Sequence, residues 1–143
     1  MLPDSYHQQL ISERCWTIYE VVTGLLDVSD DFYHKFWDAA ELAFETDLFR
    51  LKAEIMANEY SLIINEEYKI ENYKLTIESY SYNLIDRNQN NILRTDTVPH
   101  HQFDYKNKKL INFPHHLHDE KERICSFSGE IADFIKYILR IVI

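Results

Sequence analysis

Five of the seven histidines in this 143-residue chain fall between positions 100 and 118, in two groups that each follow a proline. The first is Pro99-His100-His101, the second Pro114-His115-His116-Leu117-His118, and Arg94 and Asp96 lead into the first. Imidazole changes charge near neutral pH, so such a cluster can move protons or bind a metal. A proline fixes the backbone ahead of each group and withholds a ladder donor, which places both groups at strand ends or edges. In an extended segment Arg94 and Asp96 point to one face. By the same alternation His115 shares a face with Phe113 and Leu117, while His116 and His118 share the other. His115 therefore reads as a packed, hydrogen-bonded side chain, and His116 and His118 as the pair on the wetter face.

Three chemistries suit these residues. In the first, one neutral and one protonated histidine act as base and acid in phosphodiester cleavage without a metal. Arg94 then holds the phosphate, which its fork of donors fits, and Asp96 orients a histidine. In the second, an HxH pair with a further His or Asp gives three metal ligands and an open position. In the third, the histidines are structural and bond loops or a partner. No cofactor is expected on the first reading. His7 and His34 stand alone on expected helices and read as surface residues.

The elements that must carry this segment can be traced along the chain. Apolar positions from Leu10 to Leu26 have helical spacing, and a second helix is expected over about 31–44 from Phe32, Phe36, Trp37, Ala40 and Phe44. After Asp47 the period becomes two: Phe49, Leu51, Ala53 and Ile55 alternate with charged residues. Strands are expected at Tyr60–Ile64, extending to Ile70, and at Tyr73–Ile85, where a phase slip at Ser79 signals a bulge. The polar run Asp86–Asn91 reads as a hairpin turn, followed by strands at Ile92–Val98 and Leu110–Phe113. A closing helix begins after Ser126 or Ser128, with Ile131, Phe134, Ile135, Ile138, Leu139 and Val142 as its apolar stripe. The expected fold is a single α+β domain over residues 1–143: two N-terminal helices, an antiparallel sheet of four to six strands and a C-terminal helix. Tyr73, Tyr80 and Tyr82 read as sheet or core residues before they read as a base-stacking platform.

Charge divides the chain unevenly. Residues 1–93 carry seven Lys and Arg against 17 Asp and Glu, whereas residues 94–143 carry eight against seven. The acidic part repels nucleic acid and suits a basic protein partner; only the histidine-bearing third tolerates an anion. Cys15 and Cys125 form no CxxC pair and read as reduced, small hydrophobes. The chain shows no signal-peptide pattern and no apolar run near the ~20 residues of a membrane span, so a soluble cytoplasmic protein is expected.

The arrangement Arg94-x-Asp96-x-x-Pro99-His100-His101, followed by Phe113-Pro114-His115-His116-x-His118, resembles the TumE-type toxins of toxin–antitoxin pairs. The preceding Tyr80-Ser81-Tyr82-Asn83-Leu84 and its polar turn are similar to that family's strand and hairpin. Thr95 stands where the family usually has an aromatic residue, and Thr97 where it usually has Asn. The resemblance implies a toxin with a small helix-turn-helix antitoxin as partner, and RNA is the substrate that analogy with toxins of similar layout suggests. On that view Arg94, Asp96, His100, His101, His116 and His118 are the candidate catalytic set and His115 supports them. Self-association is left open. The alternatives are a metal-dependent phosphoesterase and a non-catalytic interaction module, the latter with Trp37 and Phe32 as partner anchors.

Overall fold

The computed structural model describes residues 3–26, 41–56 and 59–142. Helix α1 spans Pro3–Leu26. The strands follow in order: β1 Glu41–Thr46, β2 Arg50–Met56, β3 Tyr60–Glu71, β4 Lys74–Asp86, β5 Asn91–Asp96, β6 His116–His118 and β7 Ile124–Ser126. Helix α2, Ile131–Val142, closes the chain. The seven strands form one sheet in sequence order, antiparallel at every step. None of the described helices is long and apolar enough to cross a membrane.

Alternation decides which face of the sheet is covered. Leu51, Ala53 and Ile55 of β2, Leu62, Ile64 and Tyr68 of β3, Tyr80, Tyr82 and Leu84 of β4, and Leu93 and Leu117 are buried together. Register pairs such as Ile64 with Tyr82, Tyr82 with Thr95, and Thr95 with Leu117 keep these side chains on one face. Helix α2 covers that face with Ile131, Phe134, Ile135 and Ile138, the stripe its spacing announces. Ser128 caps its start: Oγ accepts the Glu130 amide at 3.1 Å and donates to Asp133 Oδ2 at 2.6 Å. Helix α1 contributes Ile11, Ile18 and Val22.

One charged group sits inside this core. The Glu66 side chain is fully enclosed, and Arg14 of α1 reaches it through two bonds of 2.8 and 2.7 Å. The phenols of Tyr68 and Tyr82 donate to the same two carboxylate oxygens. Burial pushes the Glu66 carboxyl up, but the Arg14 hydrogen bond and charge, with the two phenols, outweigh it and hold the carboxyl below its usual range. This four-residue knot fixes α1 on β3 and β4, because an unpaired buried carboxylate is strongly unfavourable.

The expected bulge is present: Glu67 pairs with Ser79 and Tyr68 with Ile77, leaving Glu78 as the extra residue. The Asp86–Asn91 turn is also formed, with Asp86 Oδ1 accepting the amides of Asn88 and Asn90 and Gln89 at φ 66°. Three expectations need correction. Residues 41–44, expected to end a second helix, belong to edge strand β1, and residues 31–40, with Trp37 and Phe32, lie outside the described residues. Glu41-Leu42-Ala43-Phe44-Glu45 satisfies an alternating pattern as well as a helical one, and pairing with β2 decides it. Second, the strand expected over Leu110–Phe113 is absent: Leu110 is buried, and residues 111–114 form turns. Third, β6 and β7 bring the strand count to seven instead of four to six; three residues are too few to show a period. The described residues contain two helices, one at each end of the sheet's sequence.

Replacing Arg14 with Met should cost about 3 kcal/mol in urea denaturation at pH 7, because Glu66 is left charged and unpaired. The sign of the pH effect follows from the lowered carboxyl. Glu66's contribution is fully present above the ordinary Glu value of about 4.3 and is lost as pH falls through its lower folded value. Wild-type protein should therefore lose an increment of stability in that acidic window that Glu66→Gln lacks. Parallel pH profiles for the two proteins would contradict this account of the knot.

Candidate functional site

Strands β5 and β6 are neighbours, and their register sets Arg94 opposite His118 and Asp96 opposite His116. These four residues lie on the face away from the helices, in rows continued by Asn83 and Ser81 of β4. The other parity, Leu93, Thr95 and Leu117, faces the core. Thr95, the residue between Arg94 and Asp96, is fully buried, and its hydroxyl donates to the main-chain oxygen of His116. Thr97 Oγ1 accepts the Tyr80 amide at 3.3 Å and ends the β4–β5 ladder.

Between β5 and β6 the chain makes an excursion that brings the first histidine pair back over the second. Asp96 Oδ1 accepts the Val98 amide at 3.0 Å, and the His100 amide bonds Val98 O at 2.9 Å around Pro99, a turn that proline's fixed φ suits. Further on, the Tyr105 amide bonds Ile124 O, and the Ile111 amide bonds Ser126 Oγ, so the excursion lies along β7. It re-enters the sheet through a turn closed by His115 N to Asn112 O, with a cis Phe113–Pro114 peptide bond.

The result is a cluster of four imidazoles. One ring nitrogen each from His100, His101, His116 and His118 lies within 4.8 Å of all the others. His116 is wholly enclosed. Its Nδ1 is 3.0 Å from Pro114 O, and a carbonyl only accepts, so Nδ1 carries the hydrogen. Its Nε2 then faces the cluster 3.3 Å from Asp96 Oδ1, outside hydrogen-bonding geometry and with no hydrogen-bond partner among the described residues. Arg94 Nη2 is 3.1 Å from His118 Nε2; a guanidinium only donates, so this nitrogen accepts. Arg94 Nε lies 3.8 Å from Asp96 Oδ2. Burial, followed by the Arg94 charge, pushes His118 down to about 4. Burial, followed by His100, also lowers His101.

His118 and His101 are thus neutral at physiological pH: His101 has a lone pair to offer as base or ligand, and that of His118 is held by Arg94. Arg94, half-exposed, supplies the positive charge for an anion. The expectation that His116 and His118 share a wet face needs one change. They do share a face, 5.0 Å apart between ring centres, but the excursion covers His116 and leaves His100 as the exposed ring. His116 can position its neighbours but has no surface for a substrate.

His115 lies apart from the cluster, on the helix side of the sheet. It stacks on Tyr80 and its Nδ1 is hydrogen-bonded to the Tyr80 hydroxyl, 2.8 Å away. Burial raises Tyr80 to about 12, so this phenol stays protonated. Tyr80 and Tyr82 are core residues, whereas Tyr73 is exposed. Both cysteines are free; burial, then Asp119, raises Cys125 to about 11, and burial raises Cys15, so neither is an activated thiol. Thr95 and Gly129 are supporting residues that the motif did not single out. Alternation does place Thr95 on the core face, where its hydroxyl must find an acceptor. No pattern in the sequence marks the contact of Gly129 with a histidine ring.

The model of the family described as Toxin TumE matches residues 27–143. No curated protein and no solved structure matches the chain. The matched region holds all seven strands and α2, while α1 precedes it. The chain belongs to the TumE toxin family, and so to the toxins of toxin–antitoxin pairs, which implies an antitoxin partner.

Gly129 offers a test of how His115 is seated. Its φ is +90°, and a Cβ there would come 2.8 Å from His115 Cε1. Gly129→Ala should cost about 2 kcal/mol through backbone strain and the clash. It should also displace the Tyr80 hydroxyl resonance, because the ring must move. An unchanged melting curve and spectrum would contradict the placement.

Proposed function

We propose that this toxin is a ribonuclease and that the pocket of His100, His101, His118 and Arg94 is where it cleaves. The observation that carries this reading is the convergence of four imidazoles beside one half-exposed guanidinium. Arg94 fits a phosphate oxygen through its free donors. A neutral imidazole, His101 or His118 once Arg94 has turned to the phosphate, takes the proton of an RNA 2′-hydroxyl. The 2′-oxygen bonds to phosphorus, the bond to the 5′-oxygen breaks, and that oxygen is reprotonated at the pocket mouth, where His100 is exposed. His116 and Asp96 serve as positioning residues on this reading. The expected partner is a small, basic helix-turn-helix antitoxin that meets the acidic residues before position 94, and the site of action is the cytoplasm.

A second reading has its own support. His116 is bonded to backbone at a strand end, as the histidines of a non-catalytic interaction module would be. The Nε2 of the same ring, without a partner among the described residues, and the exposure of His100 favour the catalytic reading over it.

Induced expression of the chain should stop growth and fragment cellular RNA. Arg94→Ala and His118→Ala, in variants that melt as the wild type does, should each lower RNA cleavage by at least about 100-fold and relieve the arrest. Growth arrest with intact RNA would refute the ribonuclease reading. So would full toxicity in both variants.

A further inference from the structure

We infer that His116 and Asp96, with His100, His101 and His118 around them, form a binding site for a divalent transition-metal ion, zinc before others. The inference goes beyond RNA cleavage, because it stands on the pocket's geometry whatever the toxin acts on.

The fixed point is His116. Its Nδ1–H is engaged by the Pro114 carbonyl, which leaves the Nε2 lone pair facing inward from a fully buried ring. Metal-bound histidines are typically held in this way, by a backbone carbonyl on the other nitrogen that sets tautomer and ring orientation. On the far side of Nε2 is a carboxylate oxygen, Asp96 Oδ1, 3.3 Å away and not hydrogen-bonded to it. Two electron-rich atoms facing each other at that distance call for a cation shared between them. With zinc–donor bonds of roughly 2.0–2.1 Å, neighbouring donors of a tetrahedral ion are about 3.4 Å apart. The observed separation is close to that edge length.

The other rings can complete the set. The donors of the four histidines spread over no more than 4.8 Å, wider than a closed tetrahedron. The exposed His100 ends a turn, the half-exposed His101 follows it, and both can close the difference by side-chain rotation. Imidazole ligands suit zinc, copper, iron and nickel far better than magnesium or calcium. Arg94 opposes a cation, but Asp96 lies beside it and offsets its charge. Its bond to His118 Nε2 occupies that ring's one lone pair, so His118 joins the ion when it releases Arg94. Neutralising Arg94 should therefore help the ion and harm the binding of phosphate.

The test uses the full chain without an affinity tag, stripped with EDTA and dialysed. Zn²⁺ titrated by calorimetry should bind with one ion per chain, and Co²⁺ should give the visible absorption of a site with four or five ligands. His100→Ala and His118→Ala should each weaken binding by at least about tenfold, a conservative reading of what even outer partners contribute. His116→Ala removes a core ring and can unfold the chain, so the exposed His100 keeps the test clean. Arg94→Gln should bind zinc at least as tightly as the wild type. No heat and an unchanged hexa-aqua cobalt spectrum would overturn the site, as would zinc binding that survives a His100→Ala/His118→Ala double substitution. Assaying RNA cleavage on the same samples separates the two ideas. Cleavage in EDTA by a protein that takes up no zinc removes the metal site and leaves the ribonuclease. Zinc uptake without cleavage keeps the site and removes the ribonuclease.

Discussion

A threonine hydroxyl buried on the core face of the sheet joins the two halves of the pocket. Thr95 of β5 donates to the main-chain oxygen of His116 on β6, inside the ladder that sets Arg94 against His118 and Asp96 against His116. β6 has only three residues, so few ladder bonds hold it, and each one matters to the register. A slip of one residue would turn His116 and His118 into the core and put Leu117 on the open face. Leu117 is itself fully buried, so burial and hydrogen bonding select the same register. The chemistry on the open face is thus specified from the opposite side of the sheet.

That arrangement needs a rigid support, and the helix side supplies it. The buried Arg14–Glu66 pair with Tyr68 and Tyr82 ties α1 to β3 and β4, and Tyr82 stacks on Phe134 of α2. Tyr80, next along the same face, stacks on Tyr82 and on His115. A continuous run of rings therefore leads from the core to the residue before β6. His115 and His116, adjacent in sequence, serve opposite faces: one anchors the strand's entry, the other lines the pocket. The polar groups in this core are satisfied by one another, which is what allows a carboxylate there at all.

Much of this was legible in the residues. The change from helical to two-residue periodicity located β2 to β5, and the phase slip at Ser79 marked a bulge whose extra residue is Glu78. The amphipathic stripe of α2 was readable for the same reason: one buried face imposes one period. Alternation also separated His115 from His116 and His118 correctly. It failed where an element is too short to have a period, as in β6 and β7, or where two periods fit equally, as at residues 41–44. It also could not tell that the sheet's open face would be covered at one place. Burial of His116 depends on an excursion that lies along β7 by backbone bonds from Tyr105 and Ile111, and such bonds leave no mark in side-chain patterning.

The pocket that results has its lone pairs turned inward and its one strong cation, Arg94, at the rim. Such a site suits an electrophile, and the unshared space between His116 Nε2 and Asp96 Oδ1 is its centre. Crystals soaked in zinc and measured at the zinc absorption edge examine that point directly. An anomalous peak is expected roughly 2.0–2.1 Å from His116 Nε2, with other histidines of the cluster closing around it. A pocket without a peak, in which His116 Nε2 has swung into an ordinary hydrogen bond with Asp96, would contradict it.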